Sequence, residues 1–392
     1  MTPTFRLGRV AGIEVGAHWS WLLVVALIVW SLADNVFPSV NPGLSDATYI
    51  AMAAVATALF FASLLLHELG HAIQARREGM PIEGITLWVF GGVARLRGEP
   101  PSAGADLRVA AAGPAVSLVL GLLFLAAALA LPLPDEVDGV CFWVGQINLL
   151  LLMFNLIPAF PLDGGRILRA ILWARRRDLA SASRTAAKLG GGFARLMIAA
   201  GLALVMFVGD VGGLWLAFIG WFLLVAADAE LETLAAREAL RGLSAAQAMV
   251  PDPVTVDAAT SLQGFINGVF LSTRHTAYPV LDAGRPVGIV GFRRALEVPR
   301  EDWPTTDVDE IMVDAAEASI APETPLTDAF TRLGDSDLRR LLVLADGALA
   351  GLLSTTDVSR LLAVQLKLAA PTQAVAGRAV NRLVEHDRGL AR

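Results

Sequence analysis

The chain has 392 residues, 55% of them hydrophobic and 17% charged, with a formal net charge of −6. A mean hydropathy of +0.59 exceeds what a soluble protein of this length carries and points to an integral membrane protein. The negative balance argues against a general nucleic-acid binder. A single cysteine, Cys141, rules out an internal disulfide framework and a cysteine-based metal cluster.

Six segments are apolar enough to span or nearly span a bilayer, at about 17–34, 49–75, 107–131, 140–160, 193–209 and 213–228. The last two are short, which suggests tilt or incomplete immersion. A cleaved signal peptide is the alternative reading of the first, but it lacks a convincing small-residue cleavage site. The loops 34–48, 131–140 and 208–213 carry no Lys or Arg. The alternate side holds Arg6, Arg9, Arg76, Arg77, Arg95, Arg97 and the Arg-rich stretch 166–184. The positive-inside bias then puts both termini in the cytoplasm, with the chain multi-pass in the plasma (inner) membrane.

The second span runs directly into His67-Glu68-Leu69-Gly70-His71. On a helix, positions i and i+4 share a face, so His67 and His71 can aim two imidazoles at one ion, with Glu68 beside them as a base. A zinc site of this kind needs a third protein ligand and leaves a fourth position open. The remaining histidines are His18, near the head of the first span, and His275 and His386 in the polar half. The fourth span ends in "FNLIPAFPLDGGRI", a Pro- and Gly-broken stretch containing Asp163. An ionisable group at membrane depth is costly and functional by default, and irregular backbone there needs protein or water to satisfy it.

These motifs resemble those of the site-2 proteases, intramembrane zinc metalloproteases. His67-Glu68-Leu69-Gly70-His71 is similar to the family's first motif and the stretch 155–165 to its second, of the N-x-x-P-x-x-x-x-D-G type. The resemblance implies zinc ligands His67, His71 and Asp163, Glu68 as general base and then acid, and Asn155 holding the substrate backbone or stabilising the oxyanion. The stretch 84–102, with Gly91 and Gly92, resembles the family's Gly-Gly hairpin. It is either an ordinary surface hairpin or a strand that pairs with an unwound substrate. "AAAGPAVSLVLG" resembles the Gly-Pro motif that opens the third span, with Ser117 where the family commonly has Asn. His18-Trp19-Ser20 reads as an interfacial anchor or as a group near the active site. Cys141 reads as a packed residue without chemistry.

Beyond about residue 230 the chain turns polar and periodic. Met249 and Met312, Val280 and Val343, and Gly288 and Gly351 stand at one constant offset, the mark of an internal repeat. Each unit reads as a helix, two short apolar strands around an Asp/Gly turn, and a closing helix. This resembles a tandem pair of CBS domains, modules that often bind adenine nucleotides. In the second unit Ser354, Thr355 and Asp357 match the nucleotide motif, and a helix cap is the alternative reading. In the first unit Gly291 and Arg294 stand at the positions of Ser354 and Asp357, so one intact adenosine site is expected.

The expected fold class is a polytopic α-helical membrane protein with six transmembrane segments, a broken fourth helix and a membrane-associated β-hairpin, followed by a cytoplasmic α/β CBS-domain pair. The expected domains are a transmembrane metalloprotease domain at 1–230, a linker helix at 231–245, CBS domains at 246–305 and 306–366, and a tail at 367–392. The resemblance implies an enzyme, a zinc metalloendopeptidase that cuts single-span membrane proteins in or near their spans, with CBS domains regulating access. It also implies Zn2+ as cofactor, an adenine nucleotide at the CBS pair, contact with the lipid bilayer and a homodimer through the CBS domains. A catalytically inactive, partner-binding relative and a CBS-regulated transporter or channel are the rival readings.

Overall fold

The computed structural model describes residues 4–88, 91–96, 98–273 and 275–369. It divides into two compact units, one ending at Leu231 and one beginning at Glu232. The expected tail, 367–392, lies almost wholly outside the described residues.

The first unit opens with an antiparallel pair, β1 (Phe5–Val10) and β2 (Ile13–Ala17). Next come α1 (Ser20–Ser31), a π segment (Leu32–Val36) and the short α2 (Phe37–Val40), which together make the first apolar crossing-length helix. The second is α3 (Asp46–Arg77), whose 32 residues exceed the ~20 needed to cross a bilayer. Ser45 caps it, its hydroxyl accepting from the Thr48 amide, and Arg76 and Arg77 close it at the end where cations suit the helix dipole. β3 (Ile82–Trp88) and β4 (Gly91–Leu96) complete a four-stranded sheet in the order β1-β2-β3-β4. Alternate residues Ile13, Val15 and Ala17, with Ile85 and Leu87, are buried; Ile13, Ala17, Ile85 and Leu87 pack on Phe61, Leu64, Leu69 and Ala72 of α3. The sheet is thereby fixed beside the segment that carries the two histidines.

α4 (Ala103–Ala130) and α5 (Asp135–Asn155) are the third and fourth long helices. They approach closely through glycine: a Cβ on Gly145 would lie 2.7 Å from Leu125 Cγ, and one on Gly121 2.7 Å from Leu149 Cδ2. Small residues let helix backbones meet where no hydrophobic gain drives association. α5 stops at Asn155, the chain turns irregularly to Leu162, and α6 (Asp163–Arg176) begins on the acidic residue itself. The break folds back on the neighbouring helices. A Cβ on Gly165 would lie 2.7 Å from the Ala159 carbonyl carbon, and one on Gly190 would lie 2.9 Å from Ala159 Cα. Glycine there is a requirement of close approach.

α7 (Leu179–Ala203), extended by a π segment to Val208, and α8 (Gly212–Leu240) complete six helices, among the described residues, long and apolar enough to cross a membrane. Both exceed the short spans expected from hydropathy. The first half of α7 mixes Ala, Ser and Gly with Arg184, Thr185 and Lys188, which continue the helix without raising the apolar signal.

The second unit holds two four-stranded sheets. The first repeat supplies β5 (Val250–Pro251), β6 (Val256–Asp257), α9 (Leu262–Gly264), a π segment (Phe265–Phe270), α10 (Leu271–Thr273), β7 (Ala277–Asp282), β8 (Arg285–Gly291) and α11 (Phe292–Glu297). The second supplies α12 (Val308–Ile311), β9 (Val313–Asp314), α13 (Ala315–Ala318), β10 (Ser319–Ile320), α14 (Leu326–Asp335), β11 (Arg340–Ala345), β12 (Ala348–Ser354) and α15 (Thr355–Ala369). The sheet orders are β6-β7-β8-β9 and β10-β11-β12-β5, so each repeat donates one short strand to the other. This gives the repeated Met and Gly a physical reason. A Cβ on Gly351 would meet Met249 Sδ and the Val250 carbonyl oxygen at 2.8 Å, and one on Gly288 would meet the corresponding atoms of Met312 and Val313.

Candidate metal centre

His67 and His71 lie one turn apart on α3, and Asp163 opens α6; all three are buried. His67 Nε2 and His71 Nε2 each lie 3.2 Å from Asp163 Oδ2 and 3.2 Å from one another. Ligands bound tetrahedrally at ~2.0–2.1 Å stand about 3.3 Å apart, so three edges of 3.2 Å fit one zinc-sized ion.

The outer nitrogens are held by α4. His71 Nδ1 donates to the Val109 carbonyl oxygen at 2.7 Å, which leaves the lone pair of the neutral ring on Nε2, facing the other donors. His67 Nδ1 lies 2.9 Å from the hydroxyl of Ser117, itself fully buried. Such outer contacts orient metal ligands. The backbone of α4 closes one side of the cluster at Gly113, where any Cβ would collide with His71 Nε2 and His67 Nε2. Two inward Nε2 atoms and a carboxylate, cradled where only glycine fits, make a donor set for a cation.

Asp163 is held through its own helix. Asp106, fully buried in the first turn of α4, accepts two hydrogen bonds from Arg169, at 2.9 and 2.7 Å, and lies 3.6 Å from Arg166. Arg166 and Arg169 follow Asp163 at helical spacing, and the Arg169 guanidinium also stands 5.8 Å from the Phe160 ring centroid, inside the break. The sequence reading missed this clamp. Its signal was an aspartate at the head of an apolar helix and two arginines on the Asp163 face of another.

β4 crosses the helix beside the cluster. A Cβ on Gly92 would lie 2.5 Å from Glu68 Cγ and 3.2 Å from Glu68 Oε1, so the strand backbone rests on this carboxylate. Gly91, at φ +125°, has open space where a side chain would stand, and β4 is an outer strand of its sheet. Asn155 is the last residue of α5, half-buried immediately before the break. His18 is not in the cluster. Its Nδ1 lies 2.8 Å from Ser20 Oγ and accepts from the Ser20 amide, which ties it to the start of α1.

In the second unit, Ser354 and Asp357 bond one another. The Asp357 carboxylate accepts from Ser354 Oγ at 2.5 Å and from its amide at 3.1 Å, and Ser354 Oγ accepts from the Asp357 amide at 3.2 Å. This is a reciprocal cap on α15. The Thr355 amide donates to the Arg339 carbonyl oxygen at 3.4 Å. In the first repeat Arg294 donates to the Ile311 carbonyl oxygen at 3.3 Å, and Gly291 packs against Leu338.

The chain matches Peptidase family M50 over residues 55–138 and 133–199, and the CBS domain over 245–301 and 303–364. The "Putative zinc metalloprotease Rip3" of Mycobacterium tuberculosis is 40% identical over 377 residues, covering 95% of each chain. The chain belongs to peptidase family M50, the site-2 proteases. The "Putative zinc metalloprotease sll0528" of Synechocystis is 31% identical over 366 residues, covering 92% of this chain and 96% of its own. Among solved structures, the Site-2 Protease from Methanocaldococcus jannaschii is 31% identical, covers 58% of this chain and 94% of its own, and superposes with a TM-score of 0.40. As an M50 member with six apolar helices, the chain is a multi-pass membrane protein with a CBS pair.

Proposed function

We propose that this chain is an intramembrane zinc endopeptidase that cleaves single-span membrane proteins within or beside their spans. The observation that carries the reading is the convergence of His67, His71 and Asp163 at 3.2 Å spacing, with both outer imidazole nitrogens held from α4. These three residues would hold Zn2+, which acts as a Lewis acid and acidifies water. Glu68 takes the proton of the attacking water and returns it to the leaving amine. An unwound segment of substrate adds to the outer edge of β4, where Gly91 and Gly92 keep the backbone clear and bring the added strand past Glu68. Asn155, at the mouth of the break, holds the substrate carbonyl.

Water reaches the site through the irregular stretch between α5 and α6. Easily unwound helices are the preferred substrates, because a regular helix hides its carbonyls in its own hydrogen bonds. The arginine distribution supports cytoplasmic termini and a site near the cytoplasmic face. Ser354, Thr355 and Asp357 are the proposed contacts of an adenine nucleotide in the second CBS domain. The CBS pair would regulate access, in a homodimer.

The test is metal content of the purified, detergent-solubilised chain beside His67→Ala and Asp163→Ala. The expected result is near one zinc per chain, lost in both variants, with Glu68→Gln retaining zinc but cutting no substrate. A well-folded wild type without zinc overturns the reading.

A further inference from the structure

A second buried polar contact joins α3 and α5 one turn before the metal centre. Asn148 of α5 is fully buried, and its amide nitrogen donates to Ser63 Oγ at 3.2 Å and to the Val144 carbonyl oxygen at 2.8 Å. Ser63 Oγ gives its own proton to the Leu59 carbonyl oxygen at 2.9 Å. Both groups that meet the amide nitrogen are therefore acceptors, which fixes the amide against a flip. Its Oδ1 is buried and accepts from no group among the described residues. An orphan carbonyl in a bilayer interior is costly.

A matching donor stands on α4. Ser117 Oγ, also fully buried, lies 2.9 Å from His67 Nδ1. With His67 Nε2 committed to a cation, Nδ1 carries the ring proton and donates to Ser117 Oγ. The hydroxyl then has its own proton left to give. A helical serine can return that proton to the carbonyl four residues back, as Ser63 does. Among the described residues Ser117 Oγ is bonded to His67 alone.

Donor and acceptor belong to one junction of α3, α4 and α5. Ser63 precedes His67 by one helical turn, and helical side chains lean toward the N-terminus, so the His67 ring lies over the turn that holds Ser63. On α4, Gly113, Ser117 and Gly121 recur at four-residue intervals and share a face. A Cβ on Gly113 would meet both histidine rings. One on Gly121 would lie 2.7 Å from Leu149 Cδ2 and 3.3 Å from the Gly145 carbonyl oxygen. Ser117 stands between those two contacts, and Asn148 belongs to the turn of α5 that Gly121 touches.

We propose that Ser117 and Asn148 hold a buried water molecule, which accepts the Ser117 proton and donates to Asn148 Oδ1. Water is retained in a protein interior where polar groups on different elements hold it. Here it joins an unused donor to an unused acceptor and turns the Ser117 lone pairs toward His67 Nδ1. Asn148 is then a positioning residue, acting on His67 through the water and Ser117. Ser63 and the Val144 carbonyl hold the amide in the orientation this needs. The inference rests on the reading of His67 as a metal ligand.

The test pairs a structure with a binding cycle, both on the full chain in detergent. In a wild-type structure that resolves ordered water, one water is expected within hydrogen-bond distance of both Ser117 Oγ and Asn148 Oδ1. Chelator competition then reads the affinity for Co2+, and the visible absorption of the bound Co2+ reads its ligand geometry. Asn148→Leu should weaken Co2+ binding about 10-fold and shift the absorption band. It should add nothing to Ser117→Ala, because each substitution breaks the same chain of contacts. Leu149→Ala, which loosens the α4–α5 contact next to it, should lower the unfolding temperature and leave the band in place. Losses that add in the double variant, or an unmoved band in Asn148→Leu, overturn the proposal. Should Asn148→Leu fail to fold, the wild-type structure decides, and bound metal with no water at that position overturns this inference alone. A wild type that binds neither zinc nor Co2+ overturns the peptidase reading and this inference with it.

Discussion

The metal centre and the Ser354–Asp357 turn are both candidate ligand sites, and they are built in opposite ways. At the metal centre the donors come from helices far apart in sequence, and each imidazole is steered by a third helix. At the start of α15 the two candidate ligands sit in one turn and satisfy one another. Local reciprocity is what helix capping alone produces, so it calls for no ligand. Long-range convergence of two buried imidazoles and a carboxylate has no such local cause, and it makes a cation the economical explanation of the first site.

Four substitutions press on that contrast. The largest effect is expected from Gly113→Ala. In a helix interior this change ordinarily stabilises, by roughly 0.5–1 kcal/mol, yet here the methyl falls on both Nε2 atoms. Zinc binding should be abolished in a protein that still elutes as a folded species, and full zinc occupancy would remove the cradle from the account. Next is Asp106→Asn, which leaves Arg169 without its charged partner in a buried pair. Breaking such a pair costs about 3–5 kcal/mol, to be read as a large fall in thermal unfolding temperature in detergent together with weaker zinc retention. If zinc retention is unaltered while stability falls, the clamp supports the fold and does not position Asp163.

Ser117→Ala removes the outer contact of His67. Loss of such a contact typically weakens metal binding about 10–100-fold, measurable by chelator competition without any substrate. The smallest effect is expected from Asp357→Ala. Loss of the cap costs about 1 kcal/mol, a shift of a few degrees in the unfolding of the CBS unit. If ATP or AMP raises the wild-type unfolding temperature and leaves the variant unmoved, the turn is a ligand site as well as a cap, and the contrast narrows.

Much of this was legible in the sequence because it is carried by local pattern. The His67–His71 spacing, the Pro/Gly break before Asp163, the apolar runs and the repeat of Met249 and Gly288 at Met312 and Gly351 are all short-range or periodic. What was hidden depends on partners that periodicity does not announce. β1 and β2 are short and Gly-interrupted, so only part of the four-stranded sheet was foreseen, as the hairpin around Gly91 and Gly92. The Asp106–Arg169 pair joins two helices at a separation no motif marks. The start of α7 was missed because Ser181, Ser183, Arg184, Thr185 and Lys188 hold its hydropathy below that of a span. The exchanged strands β5 and β9 are two residues each, too short for any alternation to register.

That exchange also governs when the second unit can mature on the ribosome. β5 lies near its beginning, yet the edge it joins, on β12, is synthesised about a hundred residues later. At ~5–20 residues per second, β5 waits on the order of 5–20 s for that edge to exist. The first repeat cannot finish its own sheet either, because β9 arrives only with the second. The pair therefore folds late and as one cooperative body, after every apolar helix has left the exit tunnel. A chain truncated between α8 and β12 carries all six apolar helices but lacks the edge that β5 joins.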